Sequence, residues 1–191
     1  SEWGAVAYLS QSKYGKYGNS NYTGVDKEVA INNCNSYMTG IGGDTVSASS
    51  SDTTCTTNTY ETKKGQSAST TGNITGVYDM NGGTWEFVMG NYNTSKGDAG
   101  FDNLPEAKYY DLYTTTSATT SCDGGICYGH ALSETAGWYQ DYPNFISSSY
   151  PWFIRGGEYS HHTSAGVFGF SYGDGRSIST YASRAVLAPG A

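Results

Sequence analysis

The sequence predicts a single α+β domain over residues 1–191, with one or two short helices, small strands and much ordered irregular loop. Three observations predict it. A helical apolar period opens the chain, strand-and-turn patterning fills its C-terminal part, and the polar stretch between them shows no repeat and no linker. A chain of 191 residues suits one domain with one modest core.

The first helix is expected over Glu2–Ser12, with Trp3, Val6, Ala7 and Ser10 on one side and Tyr8 and Leu9 beside them. Gly15 and Gly18 end it. Residues 19–75 read as polar loop. Ser47–Thr57, almost all Ser, Thr, Asp and Ala, has the composition of a disordered segment unless a cross-link holds it. Residues 73–92 combine a turn-rich centre with strand-forming ends, and residues 105–113 suggest one or two helical turns after Pro105. Cys122–Cys127 encloses Gly124-Gly125, a tight turn. Further on, Trp152–Arg155 is a short extended run that stops at Gly156-Gly157. Ala165–Tyr172 alternates, with Phe168, Phe170 and Tyr172 on one face and Val167, Gly169 and Ser171 on the other. Gly173-Asp174-Gly175 reads as a hairpin-type turn. Ser183–Ala188 is the expected last strand, stopped by Pro189.

Composition narrows the function classes. Charged residues are only 14% of the chain and the net charge is -7, while aromatics reach 15%, so the core leans on rings. The ten Lys and Arg are scattered, which argues against nucleic acid as a partner. No apolar run is long enough to span a membrane. Four cysteines fall into two local pairs, Cys34 with Cys55 and Cys122 with Cys127. Two disulfides in an oxidising compartment are the leading reading; free buried thiols and a metal site are the alternatives, and neither pair has zinc spacing. Asn21, Asn73 and Asn93 head glycosylation sequons, a pattern this Asn-, Ser- and Thr-rich chain also yields by chance. The chain begins at Ser1 without a signal peptide, which suggests a mature, cleaved or truncated product.

Three segments together resemble the formylglycine-generating-enzyme (sulfatase-modifying factor) family. Glu2-Trp3-Gly4-Ala5-Val6-Ala7 is similar to that family's E-W-E-Y-A-A helix. Gly76–Phe87, GVYDMNGGTWEF, resembles its G-L-Y-D-M-x-G-N-x-W-E-W stretch. Arg155-Gly156-Gly157 followed by Ser183–Leu187 looks like its R-G-G-S-W and closing S-x-R-x-V-L. Order and spacing fit over nearly the whole chain. The resemblance implies a C-type-lectin-like fold with small twisted antiparallel sheets. It points most closely to non-enzymatic members: the variable proteins of diversity-generating retroelements and pilin-like surface proteins. It also implies that the family's N-terminal strand is missing here, so that the closing strand at Arg184–Leu187 takes its partner from a detached N-terminal segment or a neighbouring subunit; a rearranged sheet is the alternative.

Two candidate sites follow. Around the Trp-Glu motif, Asp79, the carbonyls of Gly82 and Thr84, and Glu86 are the positions with which the family binds calcium; oxygen ligands on a glycine-kinked turn suit that ion. The alternative is that Trp85 plugs the core and Glu86 forms an internal salt bridge, with an arginine as partner. Toward the C-terminus, Tyr159, His161, His162, Tyr172, Asp174, Arg176 and Tyr181 form a paratope-like palette of rigid aromatics and adaptable polar groups. They are expected to be solvent-accessible on one side of the domain, on a frame of Trp152, Ile154, Val167, Phe168, Phe170, Val186 and Leu187. As neighbours on a strand, His161 and His162 would point to opposite faces and not chelate one ion. The family's C-terminal copper-binding cysteines are missing and no G-x-S-x-G elbow occurs, so an enzyme is not expected. The expected function is an extracellular, cell-surface or virion-surface adhesion module for a protein or glycan on another cell or particle. A pilin-like fibre subunit is the alternative, and a family oxidase the second.

Overall fold

The structure is a computed structural model that describes residues 2–116 and 130–185. Helix α1 (Glu2–Ser10) forms where the apolar period placed it and buries Trp3, Ala7 and Ser10. It stops at Ser10 rather than Ser12 because the chain doubles back. A Cβ on Gly15 would lie 2.2 Å from the Leu9 carbonyl oxygen, so only glycine allows that return. The Trp3 indole donates to the Val167 carbonyl at 2.9 Å, which fixes the helix against the sheet. Trp3, Ala7, Val29, Met80, Val167 and Phe168 form one buried cluster.

The long polar stretch contains one helical turn, α2 (Lys63–Gln66), capped by the Thr62 hydroxyl, which accepts from Gly65 N at 3.0 Å. The rest is ordered loop stitched by isolated bridges at Asn32–Gly82, Cys34–Asp52 and Ile41–Thr59. The Cys34–Cys55 disulfide is formed, closing a separation of 21 residues. Lys16 is fully buried, and its ammonium donates to the Glu28 and Ser67 carbonyls at 2.5 and 2.6 Å. One ammonium thereby ties three distant parts of this loop region together. The second cysteine pair, Cys122 with Cys127, lies outside the described residues, as do Val186 and Leu187.

Five strands make one sheet: β1 (Trp85–Tyr92), β2 (Asp111–Tyr113), β3 (Trp152–Gly156), β4 (Gly166–Gly173) and β5 (Tyr181–Ser183). A short helix α3 (His130–Thr135) precedes β3. The centre is an antiparallel β1–β3–β4 core, with Glu86 opposite Arg155 and Arg155 opposite Phe170. The outer edge of β1 is shared, since β2 pairs in parallel with Gly90–Tyr92 and β5 in parallel with Trp85–Phe87. The outer edge of β4 is covered by residues 142–144, through Phe170 N to Tyr142 O at 2.8 Å and Asn144 N to Phe170 O at 2.9 Å. Both flanks of the β1–β3–β4 core are thus paired. Phe153, Phe170 and Ile146 form a second buried cluster, against which Val88, Tyr113 and Phe145 pack.

Several expectations are corrected. Gly173–Gly175 does not close a hairpin: the chain crosses to β1 instead, and β5 runs parallel to it. The last strand begins at Tyr181, earlier than expected, and Arg184 and Ala185 are outside it. Residues 107–109 form one 3-10 turn, after which the chain extends into β2. The alternation along β4 is masked, because both of its faces are buried from Gly166 to Ser171. The mixed helix-and-sheet class is as expected. No described helix is long and apolar enough to cross a membrane.

Candidate binding face and the Asp79–Glu86 turn

The turn before β1 is built on left-handed backbone and requires glycine at Gly82. Gly82 and Gly83 have φ of +78° and +70°, and a Cβ on Gly82 would lie 2.4 Å from the Asn32 carbonyl oxygen. Asn32 N donates to Asn81 O at 2.8 Å and Gly83 N to Asn32 O at 2.7 Å, which anchors the turn to the loop region. Trp85 is a buried plug at the start of β1. Asp79 Oδ1 accepts from Asn32 Nδ2 at 2.7 Å, and both of its oxygens accept from Gly40 N at 3.2 Å. Burial nevertheless pushes the Asp79 carboxyl above its ordinary range.

Asp79, Thr84 and Glu86 line a cavity of about 380 Å³, whereas Gly82 is not part of its lining; the Gly82 N–H donates to Gly156 O at 3.0 Å. A side chain from the end of the chain enters the same cavity. Arg184 Nη2 and Nε donate to the two Glu86 oxygens at 2.5 and 3.0 Å, and the guanidinium reaches the Tyr78 carbonyl at 3.1 Å and the Asp79 carbonyl at 3.4 Å. The internal pairing of Glu86 with an arginine is thus formed. As placed, the oxygens of this turn surround a guanidinium, and among the described residues no group of three or more His, Cys, Asp or Glu gathers.

The seven C-terminal residues fall into three adjoining groups. Tyr159 meets Tyr37 edge-on at 5.5 Å, and His161 meets Trp85 and Tyr142 edge-on at 5.3 and 5.1 Å. His161 Nδ1 accepts from Glu158 N at 3.1 Å, and its pKa is lowered by burial. His162, at φ +49°, turns its Nδ1 to the Ala48 carbonyl at 2.8 Å, so the two histidines diverge through a 3-10 turn rather than along a strand. Tyr181 stands between the groups, edge-on to Phe87 at 5.1 Å. At the end of β4, Tyr172 packs on Tyr150 at 4.9 Å, and Arg176 Nε donates to Asp174 Oδ2 at 2.5 Å.

Exposure departs from expectation. Only Tyr172 and Arg176 are exposed, Tyr159, His161, His162 and Tyr181 are half-buried, and Asp174 is buried at 8%. Asp174 is a support: it holds Arg176 through its side chain, and its carboxyl is kept low chiefly by that hydrogen bond. Its carbonyl accepts from Asp98 N at 2.7 Å, tying this end of β4 to the loop after β1. Sequence reasoning missed Tyr150, Arg184 and Tyr37. Only Arg184 carried a signal, as part of the closing S-x-R-x-V-L. No family model, curated protein or solved structure matches this chain.

Proposed function

We propose that the chain is a non-enzymatic binding module of C-type-lectin-like fold, displayed outside the cell or on a virion, whose C-terminal face takes a protein or glycan on another surface. The observation that carries this reading is the end of β4. An exposed Tyr172–Tyr150 pair and an exposed Arg176 sit beside half-buried Tyr181 on backbone held by Asp174, Asp98 and the Trp152–Lys96 contact. Tyrosine and arginine dominate interface energetics, and fixing them in advance lowers the entropy lost on binding. The Cys34–Cys55 bridge fits the oxidising compartment that such a role needs. The resemblance to the formylglycine-generating-enzyme family, and within it to retroelement-diversified variable proteins, belongs to the same proposal.

The test compares the wild type with a Tyr150→Ser, Tyr172→Ser, Arg176→Ser, Tyr181→Ser variant in glycan-array and cell-adhesion assays. Sedimentation and thermal melting run alongside. The proposal expects a ligand that the wild type binds and the variant loses, with a fold that still melts cooperatively. Ligand capture untouched by all four changes would overturn the placement. Ordered self-assembly of the wild type that the variant abolishes would replace this reading with the fibre subunit.

A further inference from the structure

A second concavity lies on the side of the sheet that carries Val88, Phe153, Arg155 and Phe168. It is a groove of about 1120 Å³ between α1, the β1–β2 pair and α3. That volume is at or above the usual range for a small-molecule site. Trp3, Val88, Tyr113, Leu132, Phe153 and Phe168 line it, together with the charged Glu2, Lys108, Asp111 and the mutually paired Glu86 and Arg184.

At its base sits Arg155, 7% exposed. Its Nε has no hydrogen-bond partner among the described residues, and Nη2 makes only a long bond, to the Val167 carbonyl at 3.5 Å. Glu86, its neighbour across the β1–β3 pair, is engaged by Arg184, and among the described residues no carboxylate forms a salt bridge with Arg155. The charge rests instead over the Trp3 and Phe170 rings, at 5.6 and 5.8 Å. Burial lowers its pKa to about 10, so it remains a cation at neutral pH. The carboxyl whose charge would raise it, Asp141, is itself pushed up to about 8 by burial and so stays largely protonated there. A buried cation without a counter-charge is costly, and an anion delivered through the groove would relieve that cost.

We infer that this groove binds a monocarboxylate with an apolar body, its carboxylate on the Arg155 guanidinium and its chain against Trp3, Val88 and Phe153. One buried guanidinium matches one planar carboxylate, and an apolar lining favours a hydrocarbon tail over a sugar. This site is separate from the end of β4, and it stands or falls independently of the proposed adhesion role.

Octanoate is the probe and octanol its uncharged control, titrated into the wild-type protein by calorimetry and by nitrogen-15 correlation spectra. Octanoate should bind about 10-fold or more tighter than octanol, the range of a charge-assisted hydrogen bond. It should also shift the Arg155 Nε–H and Trp3 Nε1–H resonances. Arg155→Met, an apolar replacement of similar length, should erase the preference for acid over alcohol. If that variant does not fold, the wild-type comparison decides. Equal affinity for acid and alcohol, octanoate binding that leaves the Arg155 resonance in place, or no octanoate binding at all would each overturn the inference.

Discussion

The loop region before β1 and the sheet that follows it reach order by different means. In the sheet, rings do the packing. Phe153 meets Tyr113, Phe145 and Phe170, and Phe168 meets Tyr8, Trp138 and Tyr139. In the loop region the buried apolar side chains are mostly small: Val29, Ala30, Ile31, Ile41, Val46, Ala48 and Ala68. There, side-chain-to-backbone bonds replace the ladder. Asn32, Asn33, Asn81 and Lys16 each tie backbone carbonyls together, and a disulfide closes the longest excursion. A polar sequence can therefore be fixed without a large core where side-chain amides bond its backbone and the chain is cross-linked, even though Asn33 Oδ1 and Asn81 Oδ1 stay buried without a partner among the described residues.

That contrast can be broken from either side. The largest effect should come from the sheet: Phe153→Ala removes a fully enclosed ring and should cost about 3–5 kcal/mol, read from denaturant melts. Loss of the Cys34–Cys55 bridge, by Cys34→Ser with Cys55→Ser, should cost about 3 kcal/mol. Hydrogen exchange should show that loss concentrated in the loop region. Equal deprotection of β1 and β3 would mean that the two regions unfold as one unit.

Lys16→Met should cost about 1–3 kcal/mol, because it strands the Glu28 and Ser67 carbonyls inside the protein. A neutral result would mean that water replaces the ammonium there.

A smaller and sign-specific effect concerns pH. Burial raises Asp141 to about 8 and Glu28 to about 7. In the unfolded chain both ionise near their ordinary values, so between about pH 4 and 8 the folded state holds more protons than the unfolded one. Stability should accordingly be highest near pH 4 and fall as pH rises through that window. Asp141→Asn keeps an acceptor for Phe168 N and should flatten the fall, with a gain of roughly 1 kcal/mol at pH 8. A thermal melt series that rises from pH 5 to 8 would contradict the assignment of these carboxyls as buried acids.

The parts of this protein legible in its sequence are those set by local rules. The period of Trp3, Ala7 and Ser10 marked α1, the extended run at residues 152–155 and the alternation at 165–172 marked two central strands, and a bridge was the leading reading of the Cys34–Cys55 spacing. Gly82 and Gly83 announced the turn, and at Gly82 a side chain would collide with the Asn32 carbonyl. What only the tertiary structure decided is non-local. The partner of Glu86 stands 98 residues away in Arg184, and β5 lies parallel to β1 instead of folding back on β4. Asp174 faces inward as the support of Arg176, and Arg155 Nε is left without a partner among the described residues beside a groove. Side-chain periodicity records which face a residue presents to its own element. It carries no information about which distant element that face will meet, because that choice is settled by the packing of the whole chain.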